Sequence, residues 1–194
     1  MSTTCTAFAG SKCIASGFPA QVALAVKAAL DAPEGHPLLV FDDMSGSLVD
    51  FDLRGTPQEI LARLAPEKPP EQPSEPARGP GRPKLGVVAR EVTLLPRHWE
   101  WLNAQPGGAS VALRKLVDAA RATHAGADRR RLAQQAADRF MAAVAGNAPG
   151  YEEAARALYA GDRARFAAAM AAWPVDVREH ALRLATAAFE ESAA

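Results

Sequence analysis

Residues 66–83 constrain this chain more than any other stretch. Seven of the eighteen are proline, the rest are mostly Glu, Gly and Arg, and none is Leu, Val or Phe. Such a segment has no side chains with which to build a core, so it reads as an extended linker between two separately folded stretches of chain. The expected organisation is a small α+β domain over 1–66, a Pro/Gly/Arg-rich linker over 67–86, a strand-helix-helix module over 87–124 and a helical bundle over 125–194. With 194 residues in all, each part is small,.

In the first part, residues 6–17 and 38–53 read as β-hairpins. Leu38, Leu39, Val40 and Phe41 form a buried run, Asp43-Met44-Ser45-Gly46-Ser47 is turn chemistry, and Val49, Phe51 and Leu53 alternate with Asp50, Asp52 and Arg54,. Residues 19–32 form a helix opened by Pro19, with Val22, Leu24, Val26, Ala29 and Leu30 as its apolar residues. Thr56 caps a second helix, with Pro57 at its first position and Glu59 completing a capping box,. The unit is therefore ββαββα.

Beyond residue 128 the sequence reads as four helices. Leu132, Ala136, Phe140 and Val144 stripe the first, which Gly146 ends; 151–160 is the second, stopped by Gly161; Asp162 caps the third; Pro174 starts the fourth,. The overall class is α+β.

The formal net charge is zero, but its distribution is uneven. Residues 78–131 carry 11 basic and 4 acidic side chains, while the segments on either side are acidic. Sign asymmetry of this kind points to a polyanionic partner. Within the basic stretch, Arg78-Gly79-Pro80-Gly81-Arg82-Pro83-Lys84 resembles an AT-hook, although Pro80 stands where the motif has arginine. The resemblance implies that Arg82 enters the minor groove, flanked by Arg78 and Lys84 on phosphates.

Next comes Arg90-Glu91-Val92-Thr93-Leu94-Leu95-Pro96, a short helix with Trp99 and Leu102 on its buried side, the turn Gly107-Gly108, and a longer helix over 111–121. Ser110 reads as that helix's cap, and Leu113, Leu116, Val117 and Ala120 as its inward stripe,. Over about forty residues this arrangement resembles the ribbon-helix-helix DNA-binding fold. The resemblance implies a homodimer whose paired strands enter the major groove, with Arg90 reading a base edge. Arg97, Arg114, Lys115 and Arg121 would contact phosphates, assisted by the backbone at Ser110. Val92 and Leu94 suit a core as well as a groove, so the strand pairs either between chains or within one; a helix-turn-helix is the other reading of 97–121.

The chain as a whole is similar to a bacterial family, the domain of unknown function 2239. The likeness rests on Leu39-Val40-Phe41-Asp42-Asp43, Val49-Asp50-Phe51-Asp52-Leu53-Arg54-Gly55, Glu91-Val92-Thr93-Leu94-Leu95-Pro96-Arg97-His98-Trp99 and Trp173-Pro174. It implies no activity.

His36, His98, His124 and His180 are scattered, and no nucleophile motif, phosphate loop or dinucleotide fingerprint is present,. No enzyme activity, cofactor or metal is expected; Asp42, Asp43, Asp50 and Asp52 read as solvent-facing positions of one hairpin. Cys5 and Cys13 suit a reducing cytoplasm. No stretch reads as a signal peptide or membrane span. The expectation is a cytoplasmic, homodimeric DNA-binding regulator or nucleoid-associated accessory protein. The competing reading is a non-enzymatic protein-protein interaction or scaffold protein.

Overall fold

The computed structural model describes residues 4–31, 35–65, 88 and 90–190. The linker and its AT-hook-like motif, with Arg78, Arg82 and Lys84, lie outside the described residues. By internal packing the chain divides into two units: Met1–Ala65 with Ala125–Ala194, and Pro66–His124. The fold is α+β.

The first unit is organised around one short strand. β1 (Cys5–Ala9) lies between β2 (Lys12–Gly17) and β3 (Leu38–Asp42), antiparallel to both. Its side chains alternate, and both sets are buried. Cys5 and Ala7 join Val40 on one face, packed against Val22 and Val26 of α1 (Pro19–Leu30). Phe8 belongs with Phe41 to a larger cluster supplied by the C-terminal helices. A strand this apolar on both faces needs a layer on each side, because a bare sheet face exposes the area that burial would remove from water.

That requirement joins parts of the chain expected to fold apart. Phe8, Phe41 and Phe140 meet with ring centroids 4.9–6.2 Å apart, the Phe41 contacts being edge-to-face,. Around them pack Met141, Leu158, Phe166, Met170, Trp173 and Val177. The N-terminal sheet and the C-terminal bundle thus share one core rather than forming two domains. The bundle elements are α5 (Tyr151–Ala160), α6 (Arg163–Ala169), α7 (Val175–Leu184) and a 3₁₀ turn (Thr186–Phe189). Gly161 closes α5 in the left-handed region and the Asp162 carboxylate accepts from the Arg165 amide at 2.9 Å to cap α6, as the sequence indicates,.

Two expected elements differ. The return strand after β3 shrinks to one bridge between Phe41 and Leu48. Residues 49–53 keep the alternation, Val49, Phe51 and Leu53 packing on the smaller cluster, but lack a ladder. Two carbonyls at the end of this stretch meet a side chain instead. Arg63, on α2 (Pro57–Leu64), donates to the Asp52 and Arg54 carbonyls, while Asp52 and Arg54 pair through two hydrogen bonds of 2.8 and 2.9 Å. Side chains of α2 and the loop thereby replace a neighbouring strand. Thr56 and Glu59 form the expected capping box at the start of α2.

The second difference concerns helix length. The second central helix and the first bundle helix are one element, α4 (Gly108–Ala145), of 38 residues. Between Arg121 and Arg131 the chain has no proline, and Ala122, Ala125, Ala127 and the arginines favour helix strongly enough to carry it past Gly126,.

The β3 turn seats against α4 through Gly46, whose φ is 65° and whose added Cβ would lie 2.0 Å from the Ala136 carbonyl oxygen. Arg139 reinforces the seat by donating to the Ser45 carbonyl at 2.8 Å. Gly46→Ala must both adopt a left-handed conformation and displace backbone. We expect it to lower unfolding free energy by about 2–4 kcal/mol in urea titration; a change under about 0.5 kcal/mol would refute the close seat.

Candidate nucleic-acid interface

The second unit is described from its remaining residues, 88 and 90–124. Residues 90–95 form no strand within the chain: among the described residues nothing pairs with them, which leaves pairing between chains as the form the expected strand would take. Leu95, at φ −67° and ψ 149°, leads into α3 (Pro96–Asn103), which Pro96 opens,. Ala104 ends it, and Gly107 and Gly108, both with positive φ, turn the chain into α4. Because α4 already begins at Gly108, Ser110 sits within its first turn rather than capping it. Its amide is among the early donors that a helix leaves without an internal partner.

Arg90, Arg97, Ser110, Arg114, Lys115 and Arg121 are all exposed. Arg114 and Arg121 are seven residues apart on one face of α4, about 10 Å along its axis. Arg114 donates from Nε to the Ser110 carbonyl at 3.1 Å. No ion pair among the described residues involves any of these five cations. Cations of the other unit contrast: Arg54 is held by Asp52, Arg131 by Asp128, and both Arg156 and Arg165 by Glu153.

Sequence reasoning missed what this unit leaves uncovered. Of its described residues only Leu102 and Ala112 are buried apolar side chains. Leu116 and Val117, expected inward, are about half exposed, as are Val92, Leu95 and Trp101. Trp99, expected in the core, is only half-buried. Leu94, His98, Trp101, Leu102, Leu113 and Leu116 line an open apolar cleft of about 260 Å³. The i, i+3, i+4 spacing along α4 signals an apolar stripe but not what covers it.

Three aspartates of the N-terminal hairpin, Asp42, Asp43 and Asp52, are engaged internally. Asp42 accepts from the amide and hydroxyl of Ser45 at 2.8 and 2.7 Å, and Asp43 from Thr6 Oγ1 at 2.7 Å. Asp52 is held well below the usual carboxylate range by its hydrogen bonds to Arg54. Among the described residues no three His, Cys, Asp or Glu side chains converge as a metal site would require. Burial, then the nearby Asp43, pushes the Cys5 thiol up to about 11, which holds it protonated at neutral pH,.

The chain matches over residues 4–185 a family described as an uncharacterized protein conserved in bacteria (DUF2239). It belongs to that family. Neither a curated protein nor a solved structure matches it. The family description names no activity, so the chemistry of this DUF2239 protein rests on its own side chains. No helix among its described residues is long and apolar enough to cross a membrane.

One buried group of this DUF2239 chain is titratable and was not singled out by its sequence. His180 on α7 is 1% exposed, packed against the rings of Phe8 and Phe140 at 5.4 and 4.5 Å. Arg183 can only donate, so Nδ1 accepts from it and Nε2 carries the proton,. Among the described residues Nε2 has no hydrogen-bond partner; Asp43 Oδ1 lies 4.0 Å away. Burial, then the Arg183 charge, lowers the His180 pKa to about 4, against the pull of Asp43. The unfolded chain therefore takes up this proton first as pH falls. We expect stability to be independent of His180 above about pH 6.5 and to fall between 6.5 and about 4, by on the order of 3 kcal/mol in all. His180→Gln should flatten that limb of a urea-midpoint-versus-pH curve; an unchanged limb would sink the assignment.

Proposed function

We propose that this protein is a non-enzymatic DNA-binding regulator or nucleoid-associated accessory protein, acting as a homodimer through its basic central module. One observation carries the reading. Arg90, Arg97, Arg114, Lys115 and Arg121 are exposed and take part in no ion pair among the described residues, whereas Lys27, Arg54, Arg63, Arg131, Arg156 and Arg165 each do. Surface cations of this kind have no ion pair to break before meeting phosphates, and release of the counterions condensed on a duplex supplies most of the non-specific affinity.

In this reading Arg97, Arg114, Lys115 and Arg121 contact phosphates. The early amides of α4, Ser110 among them, add donors at the positive end of the helix dipole. Arg90 reaches a base edge from the extended segment before α3. Arg82, with Arg78 and Lys84 beside it, supplies a minor-groove contact and hence a preference for A·T tracts. A DNA ligand carries a cytoplasmic location with it. A role as a scaffold for another protein is favoured by one feature, the apolar cleft beside Trp101, which phosphates do not need.

Gel-shift titration of the full chain with mixed-sequence and A·T-rich duplexes, at two salt concentrations, tests the reading. Log affinity should fall linearly with log salt, at about 0.9 per phosphate neutralised. Arg114→Ala combined with Arg121→Ala removes four phosphate contacts from a homodimer and should reduce that slope by about 4, nearly uniformly across sequences, while Arg82→Ala should remove the A·T preference. No shift at low salt would overturn the proposal.

A further inference from the structure

The middle of α4 is a helix that the described residues leave uncovered all round. We propose that residues 114–132 exchange between helix and coil in the free protein, and that a chain of phosphates laid along Arg114, Lys115, Arg121 and Arg129 fixes the helix. For its partner the inference rests on the nucleic-acid reading above; it adds a folding step which that reading does not contain.

Burial locates the weakness. Every residue from 114 to 125 is exposed, and over 114–132 only Gly126 and Arg130 are even half-buried. The span is about 28 Å of helix without a covered face. On either side the same helix is anchored, by Ala112 before the span and by Ala133, Ala136, Ala137 and Phe140 after it. Helices in proteins take most of their stability from a packed face, and one that relies on propensity alone is marginal at this length in water. Local features weaken it further. Gly126 is a poor helix former,. The Thr123 hydroxyl donates to the Ala119 carbonyl at 3.0 Å, a bond that competes with the helix ladder,. Asp118 stands four residues after Arg114 and three before Arg121, where a pair would brace the helix, yet among the described residues it pairs with neither,.

Charge supplies the response to a partner. Residues 114–132 carry six basic side chains against two acidic ones, Asp118 and Asp128. A helix spaces residues about 1.5 Å apart along its axis and an extended chain about 3.3 Å. Coiling therefore roughly doubles the linear density of the positive surplus. Self-repulsion favours the coil, and a neutralising polyanion favours the helix. Whatever binds the helical form more tightly also stabilises it. Arg114, Arg121 and Arg129 fall within about 80° of helix rotation, at intervals of about 10 and 12 Å, so the ordered form presents them along one side to a run of phosphates. The surplus survives Asp118, which shares that side.

Hydrogen exchange read by mass spectrometry, on the full chain at neutral pH, tests this. In the free protein, amides 117–131 should be protected no more than about 100-fold and those of 136–145 about a thousandfold or more, since only the latter wait for the core to open. Gly126→Ala should slow exchange in the span about fivefold and Ala122→Gly quicken it about fivefold, neither altering 136–145. A mixed-sequence duplex or inorganic polyphosphate at low salt should slow the span at least about tenfold, reversibly by added salt. Polyphosphate should also raise helical circular dichroism, which mere shielding of amides would not. Protection of the free span equal to that of 136–145 overturns the proposal and leaves the nucleic-acid reading standing. So does a duplex that shifts in a gel without slowing the span. Slowing by polyphosphate with no duplex shift upholds the proposal and overturns the nucleic-acid reading. A response to neither polyanion overturns both.

Discussion

The structure depends on β1 being apolar on both faces. Five residues long and covered on each side, it cannot be stabilised by a three-stranded sheet alone, since small sheets need a packed layer to persist in water,. Helix α1 with Val49, Phe51 and Leu53 provides one layer. The other must come from beyond the linker, and Phe140 on α4 supplies its centre, between Phe8 and Phe41. Losing such a ring from a filled core costs about 3–5 kcal/mol, a large share of a domain's net stability. The same helix begins 32 residues earlier, at Gly108, and bears Arg114, Lys115 and Arg121 before it reaches the core. Anchoring the sheet and displaying the cations are thus tasks of one continuous helix.

Signals confined to a few residues were legible in the sequence. Thr56 with Glu59, Pro19, Gly161 and Asp162 set helix ends through hydrogen bonds and dihedrals that close within one turn, so nothing distant can override them,. What failed involved partners. The alternation over 49–54 reported which side chains are buried, correctly, but a strand also needs a ladder, and Arg63 had taken the carbonyls. Residues 90–95 show the same limit: an apolar extended run specifies a strand only if an edge is offered to it. The merger of two helices into α4 was missed because turns were expected between domains, and no residue there enforces one. His180 escaped notice because a buried histidine in a helix resembles any other residue until its neighbours are known.

For the candidate site, composition indicated the region and geometry altered its meaning. The formal charge of zero averages two different states of arginine. In the first unit several guanidinium groups close short intramolecular pairs with Asp52, Asp128 and Glu153. Exposed pairs of this kind add little stability, generally under 1 kcal/mol. Their consequence is local neutralisation, which leaves that surface with little field to project. Among the described residues the five cations of the central module form no such pair, although Glu91, Glu100 and Asp118 are close in sequence.

The module keeps its apolar and its basic properties on separate faces. A single module offers five unpaired described cations, a modest count for a duplex whose grip scales with the number of phosphates neutralised,. The proposed homodimer would double that count without adding a charge to the sequence, and on a logarithmic scale it would double the counterion term in the affinity. The apolar surface lies away from those cations because α4 separates them: Leu113 and Leu116 line the cleft while Arg114 and Arg121 share another face, one residue further round the helix,. Lys115 lies on the border, next to Trp101 and Leu116.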